Sequence, residues 1–191
     1  MSLRKQKFMI TNNLLKLENR IKQIKLIVMD FDGVFTDGGI YLNKDELSFR
    51  KFDVKDGIGI KLLQKVSINL GIVSGSNSEI INIRSKQLGI NNIEKGVENK
   101  QLAIRKIQQN LGLDKSSTLF LGDDINDLTV IPEINLFFVP SDGHNACKQK
   151  ADFIGQQKGG NGFIREIADS ILFIKGFNPF EPIYSKNEFS N

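Results

Sequence analysis

The chain has 191 residues, of which 40% are hydrophobic and 25% are charged, and its formal net charge is +4 at pH 7. This composition is typical of one globular domain, and no apolar run is long enough to cross a bilayer. Residues 1–25 contain seven Lys and Arg residues against one Glu. Because Lys5, Lys7, Lys16 and Glu18 interrupt the apolar residues there, this segment lacks the continuous apolar stretch of a signal peptide, and we expect a cytoplasmic protein. Beyond that range we find no basic stripe with interleaved aromatic residues, which excludes a nucleic-acid binder.

Short apolar runs alternate with stretches of helical periodicity along the chain. Such alternation predicts an α/β fold, a Rossmann-like and mostly parallel sheet with helices on both faces. The predicted strands are 24–29, 68–73, 92–94, 118–121, 136–139 and 151–154, and the predicted helical faces lie in 58–66, 80–88, 103–111 and 164–172. We predict three parts: a basic N-terminal arm or helix (1–23), one domain (24–175) and an irregular C-terminal tail (176–191). Cys147 is the only cysteine, so no internal disulfide is possible.

One segment interrupts the alternation directly after the first predicted strand. Residues 39–53 have the pattern of two short strands around a polar turn at 43–45, which predicts a β-hairpin. Its position predicts a flap that stands over the carboxyl edge of the sheet. We therefore expect this hairpin to contribute to the site or to assembly.

Carboxylates are concentrated where the predicted strands end. Ligands of open α/β sheets bind beyond the carboxyl ends of the strands. The residues at those ends are Asp30 and Asp32, then Ser74 and Gly75, then Asp123 and Asp124, with Asp127 beyond. Five carboxylates at one edge repel each other strongly unless a cation lies among them, and an oxygen-only set favours Mg²⁺.

Phosphoryl transfer is the chemistry that this set of residues favours. Asp30 is the candidate nucleophile, which would form an acyl phosphate. Asp32 lies two residues further on and points the same way in an extended segment, where it can act as general acid and then as general base. Ser74 and Lys100 are the candidates for holding the phosphoryl oxygens. Two alternatives stay open: Ser74 as a helix cap, and Asp127 as a brace of its loop.

Four motifs stand in the order and at the spacing of a known enzyme superfamily. They are Asp30-Phe31-Asp32-Gly33-Val34, Ser74-Gly75, Lys100 and Gly122-Asp123-Asp124-Ile125-Asn126-Asp127. In these motifs the chain resembles the haloacid dehalogenase superfamily of phosphatases. Further segments resemble one family within it, the phosphatases of 3-deoxy-D-manno-octulosonate 8-phosphate. These are Phe35-Thr36-Asp37-Gly38-Gly39, Phe52 with Asp56-Gly57-Ile58-Gly59-Ile60, Arg84 with Leu88-Gly89-Ile90, and Lys158-Gly159-Gly160-Asn161-Gly162 with Arg165-Glu166.

The resemblance implies a core without a large cap domain and a role in lipopolysaccharide biosynthesis. It implies that Mg²⁺ is bound by the Asp30 carboxylate, the Asp32 carbonyl and Asp123, with Asp124 close behind. The substrate-binding residues that it implies are Thr36, Asp37, Gly75, Arg84 and Arg165. It also implies a homotetramer in which the hairpins pack together and a neighbouring subunit covers each site, with no nucleic-acid or membrane partner.

One position departs from the family pattern. Ser76 stands where that family typically has an arginine after Ser-Gly, and serine cannot make a bidentate charged contact with an acidic sugar. Arg84 and Lys61 are the alternative cations. The substrate is therefore either the eight-carbon sugar acid phosphate or a nine-carbon, neuraminate-like keto-sugar acid phosphate. A non-catalytic assembly module of a sugar-activating enzyme is the alternative from another class, although such a module need not retain the catalytic carboxylates.

Overall fold

A six-stranded parallel sheet forms the centre of the computed structural model, which describes residues 12–44 and 48–177. The strands in chain order are β1 (Leu26–Met29), β2 (Tyr41–Leu42), β3 (Ser48–Phe49), β4 (Asn69–Ser74), β5 (Asn92–Lys95), β6 (Thr118–Leu121), β7 (Leu136–Val139) and β8 (Phe153–Ile154). In space the sheet order is β5-β4-β1-β6-β7-β8, and every pair in it is parallel. The predicted α/β class and parallel sheet are confirmed.

Helices cover both faces of this sheet. They are α1 (Asn12–Leu15), α2 (Glu18–Gln23), α3 (Val54–Lys65), α4 (Glu79–Leu88), α5 (Lys100–Leu111), α6 (Asn145–Lys150) and α7 (Phe163–Ile174), with 3-10 segments at Lys115–Ser117 and Ile125–Glu133. Helix α6 and the 3-10 segments lack an extended apolar period and were not among the predicted elements. None of the helices in the described ranges has the length and hydropathy of a membrane span.

The central strand β1 supplies both halves of the core. Ile27 and Met29 belong to one apolar cluster, while Leu26 and Val28 belong to another. This division follows from the period of two along a strand, which points alternate side chains to opposite faces. A strand buried on both faces therefore appears in the sequence as a continuous apolar run.

The core also includes residues that precede the predicted start of the domain at residue 24. Leu14 and Ile21 are buried in the same cluster as Ile27. Arg20 donates from Nη1 to Asp152 Oδ1 at 2.6 Å and also bonds Asn135. Part of the predicted basic arm is thus packed on the sheet, and strand β1 begins two residues later than predicted because α2 extends to Gln23. The predicted arm residues 1–11 lie outside the described residues.

The predicted hairpin is present but its strands are short. β2 and β3 pair antiparallel, with Tyr41 opposite Phe49, and an isolated bridge joins Thr36 to Phe52 nearer the sheet. Residue 45 of the predicted turn lies outside the described residues, as do residues 178–191 of the predicted tail.

Candidate active site

The carboxyl ends of the three central strands place the candidate residues at one edge of the sheet. Met29 is in register with Ile72 of β4 and with Leu121 of β6. The Asp30 amide continues this ladder by donating to Leu121 O at 2.9 Å. As a result, Asp30, Ser74 and the loop that begins at Gly122 start from adjacent points on the same edge.

A buried lysine joins two of the carboxylates. Lys100 Nζ lies 2.7 Å from Asp30 Oδ1 and 2.7 Å from Asp127 Oδ1. The side chains of Lys100, Asp30 and Asp127 are 5%, 8% and 0% exposed. Lys100 is the first residue of α5, where the Asn99 side chain caps the helix. Helix α5 thereby directs the ammonium group of Lys100 into the site.

Three carboxylates converge beside this lysine. One oxygen from each of Asp30, Asp123 and Asp127 lies within 4.8 Å of the others. Asp123 Oδ1 is buried and has no hydrogen-bond partner among the described residues. A Cβ on Gly33 would lie 2.1 Å from Asp123 Oδ2, so only glycine lets the carboxylate of Asp123 approach this loop. Asp123 therefore has a buried oxygen without a partner, and its carboxylate lies beside two others, which is a donor set that fits a hard cation such as Mg²⁺.

The crowding of these carboxylates shifts their protonation equilibria. Burial and, after it, the charge of Asp127 raise the pKa of Asp30 to about 6, although Lys100 opposes the shift. Burial, followed by the charges of Asp30, Asp127 and Asp124, raises the pKa of Asp123 to about 8. Burial lowers the pKa of Lys100, but Asp30 and Asp127 outweigh it, so its pKa is raised. Lys100 is therefore a fixed cation, while the carboxylates require additional positive charge in order to ionise together.

Asp127 and Asp124 brace the loop that carries Asp123. Asp127 Oδ2 accepts from the Asp123 amide at 2.8 Å and the Asp124 amide at 3.3 Å. The exposed Asp124 caps the 3-10 segment through its carboxylate, which accepts from the Ile125 amide at 2.7 Å. Asp127 thus combines both roles considered for it, loop brace and member of the carboxylate cluster. Asp124, predicted as a metal ligand, is not one of the three carboxylates that converge, and its side chain caps its own loop.

Asp32 is held by a residue that the sequence analysis did not single out. Arg50 Nε donates to Asp32 Oδ1 at 2.8 Å. Thr36 Oγ1 lies 3.4 Å from the same oxygen and accepts from the Gly38 amide at 3.2 Å. A signal for Arg50 exists in the sequence, since Arg50 is two residues before the core-packed Phe52 and therefore shares its face in an extended segment.

Ser74 is a buried residue at the end of β4, and it does not cap α4. Its Oγ accepts from the Ser76 amide at 3.1 Å, while the cap of α4 is Ser78. Ser76 Oγ accepts in turn from the Ser78 amide at 3.3 Å. The residue that replaces the expected arginine is therefore part of the turn that leads into α4, and Gly75 lies within that turn.

The predicted substrate-binding arginines have partners of their own. Arg84 lies over the Phe52 ring, with Cζ 5.1 Å from its centroid, and its Nη1 bonds Gln87. Arg84 Nε is buried without a hydrogen-bond partner in the described ranges. Arg165 Nε donates to Asp169 Oδ1 at 2.8 Å on the same helix. Neither guanidinium contacts the carboxylate cluster through any bond that the structure describes.

The remaining predicted positions lie around the nucleophile loop. Asp37 faces the hairpin, where it accepts from the Tyr41 hydroxyl at 3.1 Å. Lys61, the alternative cation, donates to Leu88 O at 2.8 Å, at the end of α4. The Gly160 amide donates to Val34 O at 2.9 Å. The glycine-rich loop 159–162 therefore packs against the backbone that carries Asp32 and Thr36.

The combined arrangement is suited to phosphoryl transfer to a carboxylate. Asp30 is available as a nucleophile, Lys100 supplies positive charge, and the neighbouring carboxylates can hold a divalent cation that offsets charge on the phosphoryl oxygens. A second carboxylate, Asp32, follows on the same segment for proton transfer.

Comparisons with known proteins agree with this geometry. The sequence profile of the haloacid dehalogenase-like hydrolases matches residues 61–167, a range that contains Lys100, Asp123 and Asp127. The 3-deoxy-D-manno-octulosonate 8-phosphate phosphatase of Salmonella typhi is 30% identical over 166 residues, which are 87% of this chain and 86% of the relative. The phosphatase of the same name from Escherichia coli K12 is 29% identical over 157 residues, 82% of this chain and 84% of the relative.

Solved structures share the fold over most of its length. The 3-deoxy-D-manno-octulosonate 8-phosphate phosphatase of Yersinia pestis superposes with a TM-score of 0.82 at 29% identity, covering 87% of this chain and 88% of that one. The phosphatase of the same name from Moraxella catarrhalis has a TM-score of 0.81 at 32% identity, covering 84% of this chain and 92% of that one. The latter structure is a complex with a magnesium ion, a phosphate ion and a KDO molecule.

Proposed function

The chain belongs to the haloacid dehalogenase-like hydrolases, and from this premise we propose that it is a magnesium-dependent phosphatase of 3-deoxy-D-manno-octulosonate 8-phosphate. The products would be the free sugar acid and inorganic phosphate, and the reaction would pass through an aspartyl-phosphate on Asp30. The proposal includes a role in lipopolysaccharide biosynthesis, as the family resemblance implies.

The observation that carries this proposal is the buried contact between Lys100 and Asp30 beside two further carboxylates. Lys100 Nζ is 2.7 Å from Asp30 Oδ1, while the buried Asp123 Oδ1 lacks a partner within the described part of the chain. A lysine paired with a nucleophilic carboxylate and an unpartnered carboxylate oxygen together favour an anionic substrate bound with a cation.

In the first step, a carboxylate oxygen of Asp30 attacks phosphorus as the bond from phosphorus to the sugar oxygen breaks. Asp32 gives its proton to the leaving alkoxide, which departs as the sugar alcohol. Lys100 stabilises the negative charge of the phosphoryl oxygens and holds Asp30 in place.

In the second step, the Asp32 carboxylate takes a proton from a water molecule as that water attacks phosphorus. The bond from phosphorus to Asp30 breaks, the Asp30 carboxylate is restored and inorganic phosphate leaves. Asp32 is then protonated again and ready for the next sugar phosphate.

Asp30, Asp123 and the Asp32 carbonyl would hold Mg²⁺, with Asp127 bracing the Asp123 loop. When bound, the ion supplies positive charge that offsets the phosphoryl oxygens and the crowded carboxylates. Asp124, the further predicted ligand, would lie close behind them, with one carboxylate oxygen accepting from the adjacent Ile125 amide.

The substrate proposal is supported by relatives named for the same activity, including the Moraxella catarrhalis protein with magnesium, phosphate and KDO bound. A nine-carbon keto-sugar acid phosphate is the second candidate, and Ser76 is the observation that favours it. The serine hydroxyl belongs to the turn before α4 and supplies no cation for a sugar carboxylate.

The proposal also includes a homotetramer in which hairpins pack together over neighbouring sites. Its support is the apolar surface of the hairpin, where Ile40, Tyr41, Leu42 and Phe49 are 61%, 51%, 70% and 56% exposed. Contiguous exposed apolar side chains of this kind are typical of protein interfaces. Light scattering of the full chain tests the tetramer, and a monomer at working concentration would contradict it.

The proposed location is the cytoplasm, in keeping with Cys147, which is buried and free.

Phosphate release from a panel of sugar phosphates tests the function. We expect turnover of eight-carbon or nine-carbon keto-sugar acid phosphates with Mg²⁺ and none with a chelator. The ratio of kcat/KM for these two substrates decides between the two candidates. Activity that survives the chelator would contradict the mechanism, and no turnover of any sugar phosphate would favour the non-catalytic assembly module.

A further inference from the structure

Arg50 points from the hairpin toward the nucleophile loop. Leu42 and Phe49, its neighbours on the hairpin, are 70% and 56% exposed, whereas the Arg50 side chain is only 6% exposed. Phe52, two residues further on, packs against the ring of Phe31 with centroids 5.8 Å apart. The alternation of an extended segment thus turns Arg50 and Phe52 to the same, inner side.

The buried guanidinium is paired with the carboxylate of Asp32. Arg50 Nε donates to Asp32 Oδ1 at 2.8 Å, and the Asp32 side chain retains 31% exposure. Burying an arginine is unfavourable unless an opposite charge compensates it, so this contact fixes the Arg50 side chain as well as its partner. Asp32 is therefore restrained by the hairpin, an element separate from its own loop.

Both restraints act on the same oxygen of Asp32. Thr36 Oγ1 lies 3.4 Å from Oδ1, the atom that Arg50 also contacts. Within the described residues, no hydrogen bond involves Oδ2. One oxygen is anchored, which leaves the other available for exchanging a proton with a ligand.

We propose that Arg50 is a positioning residue that anchors Oδ1 of Asp32 and so directs its other carboxylate oxygen toward the leaving group. This inference rests on the proposed function, because Asp32 needs a defined orientation only if it transfers a proton. It also gives the hairpin a role inside its own subunit: the flap holds the general acid and base in place.

A positioning role predicts a dependence on the leaving group. An alkoxide departs poorly unless it is protonated as the bond from phosphorus to oxygen breaks, whereas a nitrophenolate departs without a proton. A correctly placed general acid contributes about 10²–10⁴-fold to rate. Misorienting Asp32 should therefore slow the release of a sugar alcohol far more than the release of nitrophenolate.

The test is Arg50→Gln, compared with Lys51→Gln, which removes an exposed charge from the next residue of the hairpin. Single-turnover release of the leaving group is measured for a sugar phosphate and for p-nitrophenyl phosphate, with Mg²⁺. For Arg50→Gln we expect the rate of leaving-group release to fall by about 30-fold or more with the sugar phosphate, which is part of the general-acid contribution, and by less than about 5-fold with the aryl ester. The KM for each substrate should change little. Lys51→Gln should behave as wild type, and Arg50→Lys should recover part of the loss.

A double-mutant cycle with Asp32→Asn provides the decisive control. If Arg50 acts through Asp32, Arg50→Gln causes no further loss in the Asp32→Asn background. Equal losses on both leaving groups, a change in KM alone, or additive losses in the cycle would overturn the inference. A wild-type chain without phosphatase activity would instead overturn the proposed function, so the two failures are distinguishable.

Discussion

Lys100 Nζ lies 2.7 Å from Asp30 Oδ1 in a contact from which water is almost excluded, since the two side chains are 5% and 8% exposed. The same ammonium group contacts Asp127, so one cation compensates two buried carboxylates. Removing one partner of a buried pair leaves an uncompensated charge, which is more costly than losing an exposed ion pair.

Lys100→Met should therefore lose both activity and stability. Without the ammonium group, Asp30 and Asp127 repel each other and the phosphoryl oxygens lose a donor. We expect kcat to fall by about 10²-fold or more, and the free energy of unfolding of the metal-free protein to fall by about 3 kcal/mol. Lys106→Met is the matched control, because Lys106 lies on the same helix with its side chain 63% exposed. Steady-state kinetics and urea denaturation measure both effects, and equal behaviour of the two variants would contradict the prediction.

Magnesium should stabilise the protein more at pH 8 than at pH 6. Asp30 and Asp123 have pKa values raised to about 6 and about 8, so the folded metal-free protein binds protons that the unfolded chain has released. Its stability accordingly falls as pH rises through this window. Mg²⁺ requires ionised carboxylates, so its binding restores more stability where protons no longer neutralise them.

Thermal denaturation with Mg²⁺ and with a chelator at the two pH values measures this difference. Asp123→Asn is the control, and it should lose most of the Mg²⁺-dependent rise in Tm. A rise in Tm of equal size at both pH values would show that protons and magnesium do not compete at the carboxylates.

Asp56 should make stability depend on pH at a point away from the carboxylate cluster. Its buried carboxylate accepts from the Arg165 amide at 2.9 Å and the Gly162 amide at 3.2 Å, and so caps the start of α7 from α3. Burial raises its pKa from 3.8 to about 6, so its contribution to stability is greatest at acidic pH and declines as pH rises through about 6. Relative to Asp56→Asn, the free energy of unfolding of wild type should fall by up to about 3 kcal/mol between pH 4 and pH 7.

Urea denaturation of both proteins across this range provides the measurement. Asp114→Asn is an informative comparison because a hydrogen bond from the Ser116 hydroxyl lowers the pKa of Asp114. Its pH dependence should therefore have the opposite sign. If the difference in free energy of unfolding between wild type and Asp56→Asn did not change with pH, Asp56 would not have the raised pKa.

Gly160 should tolerate alanine less well than a glycine of similar backbone conformation. Gly160 has φ +55°, and a Cβ there would lie 2.3 Å from the carbonyl carbon of Thr36. Gly112 has φ +62° with nothing within 4 Å of its Cβ position. Both alanine variants carry left-handed strain of about 1–2 kcal/mol, but only Gly160→Ala displaces the loop that carries Asp32 and Thr36.

We therefore expect Gly160→Ala to lose roughly 10²-fold in kcat/KM, the scale of a misplaced catalytic group, while Gly112→Ala keeps its activity. Kinetics and urea denaturation on both variants separate strain from displacement. Loss of activity in both, or in neither, would contradict this account of the loop.

The sequence was sufficient to predict the sheet and the meeting of Asp30 with Asp123, because the ends of parallel strands converge and each end is marked by the close of an apolar run. Lys100 was also predictable as the first residue of an amphipathic helix. The partners of Arg84 and Arg165 were not predictable, because the contacts of a long side chain depend on neighbours that only tertiary packing brings close. Arg50 was missed because its orientation depends on how the short hairpin folds back over the sheet.

The proposed reaction depends on Asp30 accepting a phosphoryl group. Acid-quenched turnover of the sugar phosphate with Mg²⁺, followed by peptide mass spectrometry, tests this most directly. We predict the added mass of one phosphoryl group on the peptide that contains Asp30, and its absence in Asp30→Asn, which should also be inactive. A phosphoryl group on another residue, or wild-type turnover by Asp30→Asn, would contradict the account.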